Sequence, residues 1–188
     1  MRNLVLAASG AALAISAWAV CGQASAFEAV IGGFAGGCSA AAKEGHSDQK
    51  SLDLCTRALN GEMLDAHDRA GTYVNRGAME ILNQDYEAAN NDFGEALRIM
   101  PSMGEAHIGR GVYLISMARF ADAEPEIDRG LQLGSEEREK GYYFRGIARW
   151  GQENFKGAYY DFQKAIELKP GWSLPKEQLT KFKVAPAG

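Results

Sequence analysis

The sequence lacks the common signatures of catalysis. No P-loop, nucleophile elbow, H-E-x-x-H motif or dinucleotide-binding fingerprint occurs in its 188 residues. Histidine is also scarce, and the three that occur, His46, His67 and His107, are too widely spaced to indicate a shared site. We therefore predict a protein that is not an enzyme and that uses no cofactor or metal.

An excess of positive charge is missing as well. The chain has 20 lysines and arginines against 24 acidic residues, which gives a formal net charge of −4. The basic residues are scattered among the acids, so the clustered charge typical of nucleic-acid binding is absent, and no nucleic-acid partner is expected. A content of 46% hydrophobic and 23% charged residues fits one folded domain and argues against a disordered chain.

The longest uncharged stretch lies at the N-terminus, and it resembles a secretory signal. Arg2 precedes the apolar run Leu4–Val20, and Ala24-Ser25-Ala26 has the small-x-small pattern of a cleavage site. We expect residues 1–26 to be removed by cleavage after Ala26. The mature protein is then expected in the periplasm, with no membrane insertion after cleavage.

Two alternatives to a cleaved signal stay open. The segment could be retained as an anchor, although a membrane span needs about 20 apolar residues and this run is shorter. Cys21 could carry a lipid, although the bulky Trp18 and Val20 depart from the small residues that precede a lipoprotein cysteine. We favour cleavage after Ala26 over both.

Cysteine is rare, and cleavage would leave only Cys38 and Cys55. A pair in an exported chain predicts a disulfide, which contributes about 3 kcal/mol in the chain-entropy model. The alternative is redox or metal chemistry with His46, which lies between the two cysteines, as a third ligand. The spacing matches no common zinc pattern, so the structural disulfide is the favoured interpretation.

The sequence does contain a repeat with a period close to 34. The dipeptide Arg-Gly recurs at spacings of 34 and 35 residues, an aromatic residue follows each glycine nine positions later, and an alanine follows three positions after that. A fixed period of this size indicates stacked helical units, each too small to bury its own core. The three sets are Arg76, Gly77, Tyr86 and Ala89; Arg110, Gly111, Phe120 and Ala123; and Arg145, Gly146, Phe155 and Ala158.

Each unit is predicted to form two helices that pack closely. The glycine lies in the first helix and the alanine lies early in the second, where the two backbones must approach. A large apolar residue four positions past the alanine, namely Phe93, Ile127 or Phe162, is expected to fill the space between the helices.

These positions resemble the tetratricopeptide repeat family, which has small residues at the eighth and twentieth places, a large residue at the twenty-fourth, alanine at the twenty-seventh and proline at the thirty-second. The first and third units match all five places. The second has Gly130 for the alanine, Ser135 for the proline, and Pro125 inside its second helix, where it should remove a backbone bond and bend the helix. The resemblance implies a helical array that binds proteins or peptides.

We predict an all-α fold, an α-α superhelix of about three repeats closed at both ends. The N-terminal closure is a short helix near Ser39–Glu44, stapled by the disulfide to a helix over Asp48–Asn60. The segment before it reads as a flexible apolar arm, because its glycines argue against a stable helix. The predicted parts are the signal (1–26), the arm (27–37), a disulfide-tied partial repeat (38–61), three repeats (62–101, 102–135 and 136–170), a capping helix (171–183) and a tail (184–188).

In the tetratricopeptide family, the first helices line a concave groove. The resemblance carries the fifth, ninth and twelfth places of each unit to that groove, and all nine residues there are apolar. The basic ladder of relatives that clamp acidic peptide ends is absent from those places. The apolar face is partly core, or receives the 27–37 arm, or binds an apolar helix or peptide of a partner. The nine residues are Val74, Ala78, Ile81, Ile108, Val112, Ile115, Tyr143, Ile147 and Trp150.

A second periodic set places an acid near each repeated arginine. The acids are Asp92, Glu126 and Asp161, again at spacings of 34 and 35 residues. We predict a structural Arg–carboxylate ladder between packed helices. The alternative is an anion-binding strip formed by the arginines.

These features predict a non-enzymatic scaffold or adaptor in the bacterial periplasm, which binds an unidentified protein or peptide through the apolar groove. Two alternatives remain. One is a redox or metal-dependent envelope protein that uses Cys38 and Cys55, and the other is a structural envelope component that associates with itself.

Overall fold

The computed structural model describes residues 33–182, and this part of the chain consists of helices and their connections. Nine helices lie within it: α1 (Gly33–Glu44), α2 (Gln49–Gly61), α3 (Ala66–Leu82), α4 (Tyr86–Ile99), α5 (Gly104–Ser116), α6 (Phe120–Gln132), α7 (Arg138–Gly151), α8 (Phe155–Leu168) and α9 (Ser173–Leu179). The predicted signal with its alternatives, residues 27–32 of the arm and the tail lie outside the described residues. Between residues 33 and 182, no helix has the length and apolarity needed to cross a bilayer.

The helices pack in chain order. The pairs α3–α4, α5–α6 and α7–α8 form the three units, and each pair packs against the next. The first helices α3, α5 and α7 also touch their neighbours along the array. This arrangement confirms the predicted all-α superhelix of three repeats, with α1 and α2 at one end and α9 at the other.

Close packing inside each unit depends on the repeated glycine, as predicted. A Cβ atom added at Gly77 would lie 2.9 Å from the ring of Phe93, and one at Gly146 would lie 2.7 Å from the ring of Phe162. In the second unit, a Cβ at Gly111 would overlap the side chain of Ile127. The large residue therefore fills the space that the missing glycine side chain leaves.

The turn inside each unit has a periodic conformation that the sequence did not reveal. Gln84, Ala118 and Glu153 have φ values of 62°, 56° and 62°, the left-handed conformation that usually favours glycine. The N–H of the next residue returns to a helix carbonyl at 2.8 or 2.9 Å, which closes each first helix. In the outer two units, that next residue, Asp85 or Asn154, also accepts a backbone N–H of the second helix and caps it.

The second unit is irregular in the way that its sequence indicates. Gly130 replaces the expected alanine because the backbones approach there: a Cβ on it would lie 2.6 Å from the carbonyl oxygen of Gly104. The second spacing of the Arg-Gly dipeptide is one residue longer than the first, and this additional residue falls in the turn after α6, where Gly134 has a φ of 82°. The helix α6 runs through Pro125, which has no N–H to donate to the carbonyl one turn earlier.

The prediction of a flexible arm is wrong for residues 33–37, which form the first turns of α1. The N–H groups of Phe34 and Ala35 donate to the carboxylate of Glu62, and Arg57 lies over the Phe34 ring, 5.6 Å from its centre. A carboxylate on the first free N–H groups of a helix stabilises its start, and this outweighs the low helix propensity of the glycines. The predicted short helix over Ser39–Glu44 is accordingly a helix of 12 residues.

Candidate functional site

A cleft of about 490 Å³ opens between α1, α3, the start of α5 and the α6–α7 connection. Its apolar part includes Val74 and Ala78 from α3 and Met100 from the end of α4. Lys43 and Lys140 also line it, together with the acidic residues Glu136 and Glu137 of the α6–α7 connection. The cleft therefore combines apolar side chains with charged side chains of both signs.

The nine predicted groove residues do not form one exposed surface. Val74 and Ala78 line the cleft, and Ala78 is exposed. Ile108 is only 6% exposed and belongs to the core of the second unit, where Ile127 and Leu114 are its neighbours. Val112 and Ile115 are partly buried against that same core.

The predicted groove residues of the third unit pack against Trp172 and Phe182, the aromatic residues on either side of α9. Tyr143 is 9% exposed and its ring centre lies 4.9 Å from that of Trp172. Trp150 meets Phe182 at 4.8 Å, edge to face, and Ile147 packs in the same cluster. Part of the predicted groove is therefore core, which is one of the three interpretations given above, and partner binding by the remaining part stays a prediction. The apolar side of α5 packs into the core, and the aromatic residues that flank α9, Trp172 and Phe182, pack against α7.

The two cysteines form a disulfide that joins α1 to α2. Cys38 and Cys55 are both fully buried, with an S–S distance of 2.12 Å and a Cα–Cα distance of 4.8 Å. His46 is exposed, and its Nδ1 lies 3.4 Å from a carboxylate oxygen of Glu44. Among residues 33–182 no three His, Cys, Asp or Glu side chains are grouped to hold a metal ion.

The arginine ladder is present, and its first member is a two-bond pair. Arg76 donates to both carboxylate oxygens of Asp92, from Nε and Nη2, at 2.7 Å each. Its Nη1 donates to Thr56 Oγ1 at 3.1 Å, which links α3 to the preceding α2. The bonds to Asp92 raise the pKa of Arg76 above its ordinary value, more than burial lowers it.

The third member of the ladder repeats this geometry and extends it. Arg145 donates to Asp161 at 2.9 and 2.6 Å, and its Nη1 donates to Asp128 of the preceding unit at 2.7 Å. Arg149 adds bonds to Asp161 at 2.9 Å and to Glu124 at 2.8 Å. Burial alone lowers the pKa of Arg145, but the bonds to Asp161 and Asp128 outweigh it, so that the pKa lies above its ordinary value.

The middle member is weaker. Arg110 lies 3.5 Å from Glu126, and its side chain is 40% exposed. Glu126 is shared, because its other oxygen lies 2.9 Å from Nδ1 of His107. The Nε2 atom of His107 lies 3.1 Å from the carbonyl oxygen of Pro101. The ladder thus has strong ends and a loose middle.

Sequence reasoning found the arginines and their acids but missed the partners from the preceding unit. Thr56 and Asp128 each lie five residues past the small residue that occupies the alanine place, Ser51 or Ala123. That regular offset is the signal that could have identified them.

Glu80 is the one buried side chain of the described residues with an oxygen that has no hydrogen-bond partner. Its other oxygen lies 3.9 Å from Arg76 Nε, and the side chain is 13% exposed. Burial, and then the negative charge of Asp92, raise the pKa of Glu80 to about 7, against the opposing effect of Arg76. The corresponding residue of the third unit, four positions past its arginine, is Arg149.

Comparisons with known proteins bear on this architecture. No protein-family model matches the chain. Human sperm-associated antigen 1 is 25% identical over 99 residues, which are 53% of this chain and 11% of that protein, so the chain spans about a tenth of that relative's length.

Two solved structures have a similar fold. The first tetratricopeptide domain of Spaghetti (RPAP3), bound to the HSP90 peptide SRMEEVD, is 21% identical, with a TM-score of 0.56 over 64% of this chain and 94% of that one. MamA from Desulfovibrio magneticus RS-1 is 19% identical, with a TM-score of 0.55 over 76% of this chain and 77% of that one. The described part of the chain therefore has the fold of a tetratricopeptide-type helical repeat domain.

Proposed function

We propose that this protein is a non-enzymatic scaffold that binds a protein or peptide partner in the cleft between α1, α3 and the α6–α7 connection. The observation that carries the proposal is the cleft itself, where Val74 and the exposed Ala78 share a lining with Lys43, Lys140 and the acids of the α6–α7 connection. An extended or helical peptide with apolar side chains and a mixed charge pattern fits such a surface.

The fold supports the same proposal. The similar domain of Spaghetti is bound to a peptide, and an array of helix pairs offers a long surface that a compact core does not. Fold similarity alone does not establish a function, so the proposal depends on the cleft. We further propose export to the bacterial periplasm, which the N-terminal signal pattern and the buried disulfide support.

A charge at Ala78 tests the cleft. The wild type and Ala78→Glu would be used to capture proteins from an envelope fraction. Ala121→Glu is the matched control, because Ala121 is an exposed alanine on α6 that does not line this cleft. A protein retained by the wild type and the control but lost with Ala78→Glu supports the proposal. Identical captures with all three forms would contradict it.

The cleavage site and the compartment of the mature protein have a separate test. N-terminal sequencing of the mature protein from cell fractions should give Phe27 as the first residue, in the periplasmic fraction. A mature chain that still begins at Met1, or that is lipidated at Cys21, would contradict cleavage after Ala26.

A further inference from the structure

A second cleft, of about 550 Å³, opens on a different part of the molecule, between α4, α5 and α6. It shares no lining residue with the cleft described above. Its lining carries three arginines and one histidine against two carboxylates, so cations are in excess. The three arginines are Arg110, Arg119 and Arg129, and the two acids are Asp122 and Glu126.

The arginines equivalent to Arg110 in the neighbouring units each bind a side chain of the preceding unit. In the third unit, Nη1 of Arg145 is held by the carboxylate of Asp128 at 2.7 Å, and in the first unit Nη1 of Arg76 is held by the hydroxyl of Thr56 at 3.1 Å. Both partners come from the second helix of the preceding unit. The array therefore contains its own example of a carboxylate bound at this place.

For Arg110, the corresponding position is a glycine. Gly94 lies five residues past Ala89, as Asp128 lies five residues past Ala123, and it has no side chain to offer. A Cβ atom added at Gly94 would meet no heavy atom within 4 Å, so the space beside it is open. Arg110 remains 40% exposed and has only a 3.5 Å contact with Glu126.

A second difference removes an ion pair from the boundary between the first and second units. In the third unit, Arg149 and Glu124 form an ion pair across the boundary between units at 2.8 Å. The equivalent residues here are Leu114 and Asn90, which carry no charge, and both line the cleft. The chain thus fills one boundary between units with its own ion pairs and leaves the other boundary open, with an arginine exposed on it.

We propose that this cleft binds a side-chain carboxylate from an acidic segment of a partner protein, with Arg110 as the main ligand and Gly94 as the opening that admits it. The carboxylate would occupy, relative to Arg110, the place that Asp128 occupies relative to Arg145. A carboxylate is favoured over other anions because the array itself uses one there, bound by a short charge-assisted hydrogen bond from the guanidinium. This interaction is separate from the groove that underlies the proposed function.

The test uses a hexa-aspartate peptide blocked at both ends, with a hexa-asparagine peptide and inorganic phosphate as comparison ligands, at low ionic strength. We expect the full-length protein to bind the aspartate peptide and to bind the asparagine peptide at least tenfold more weakly. Arg110→Gln should weaken binding at least tenfold, whereas Arg98→Gln, which removes an exposed arginine paired only with Glu95, should leave it unchanged.

Gly94→Asp supplies the carboxylate from within the chain. It should weaken peptide binding at least tenfold and raise the melting temperature, whereas Gly94→Ala should leave binding unchanged. The rise caused by Gly94→Asp over Gly94→Ala should disappear in the Arg110→Gln background, a comparison that needs no ligand. Equal peptide binding by the wild type, Arg110→Gln and Gly94→Asp would overturn the proposal, and so would phosphate binding as tight as that of the aspartate peptide.

Discussion

The two ends of the array bury their terminal apolar faces through different contacts. The first unit is closed by α1 and α2, which a buried disulfide joins, and its core contains small residues such as Ala41 together with Met79. The third unit is closed by aromatic contacts between α7, α8 and the residues around α9, among them Trp172 and Phe182. A terminal unit must bury an apolar face that has no next repeat, and either a covalent link or a set of large rings accomplishes this.

The two ends also differ in how many of their carboxylates are hydrogen-bonded to arginine. Around Asp92, one arginine faces two carboxylates, since Glu80 lies beside it. Around Asp161, two arginines bond to the carboxylates of that cluster. In the first unit the periodic Arg–Asp pair thus lies beside Glu80, a carboxylate without an arginine hydrogen bond. In the third unit it belongs to a saturated network, in which every carboxylate, namely Asp161, Asp128 and Glu124, is bonded to arginine. The two should respond differently to mutation and pH.

The largest effect is expected at the saturated end. Arg145→Ala should lower the free energy of unfolding by roughly 3–5 kcal/mol, because it leaves the buried carboxylate of Asp161 without its two-bond partner. Arg110→Ala is the matched control and should cost about 0–1 kcal/mol, as for an exposed pair. Urea unfolding of both variants measures the difference, and equal losses would show that the ladder has no strong end.

Reduction of the disulfide should have the next largest effect, and only at the N-terminal end. The variant with serine at both cysteine positions, Cys38→Ser and Cys55→Ser, should unfold with about 3 kcal/mol less free energy than the wild type, since the unfolded chain regains the freedom that the cross-link removes. Amide exchange should rise in α1 and α2 and stay unchanged in α8. A thiol titration that finds both cysteines reactive in the native, unreduced protein would contradict the disulfide.

Glu80 gives the N-terminal end a pH dependence near neutral pH. Because its pKa is raised in the folded state from 4.5 to about 7, the folded protein holds the proton more tightly than the unfolded chain. This stabilisation is complete below about pH 4.5 and is lost as the pH rises through 7, on the order of 3 kcal/mol in total.

Unfolding of the wild type and Glu80→Gln between pH 5 and 8 tests this. The variant should lose less stability than the wild type as the pH rises, and its relative gain should be largest at pH 8. Parallel curves for the two proteins would show that Glu80 titrates as it does in the unfolded chain.

The smallest effects are expected at two glycines, one that lies beside open space and one that is required for close packing. Gly94→Ala should raise the free energy of unfolding by about 0.5–1 kcal/mol, because the added methyl group meets open space and alanine favours a helix. Gly77→Ala should lower it by roughly 1–3 kcal/mol, because the methyl group would meet the Phe93 ring. Thermal unfolding of the two variants should therefore shift in opposite directions, and shifts of the same sign would contradict the packing at Gly77.

The sequence by itself determined the architecture. The period of the Arg-Gly dipeptide, the large residues that follow it and the recurring acids predicted three helical pairs, the close packing at Gly77 and Gly146, the disulfide and the Arg–carboxylate pairs. These features are readable because each depends on a residue type repeated at a fixed offset, and the same local geometry recurs in every unit.

Only the tertiary structure decided which apolar faces are exposed and which charges are satisfied. Ile108 and Ala78 both belong to the predicted groove, yet Ile108 is buried in the core and Ala78 is exposed in a cleft. Periodicity identifies the face of a helix, but the neighbours that cover this face come from distant parts of the chain. The same holds for the start of α1, where the carboxylate of Glu62 stabilises a helix despite the low helix propensity of the glycines. It also holds for Arg110, which is exposed because Gly94 has no side chain to bond to it.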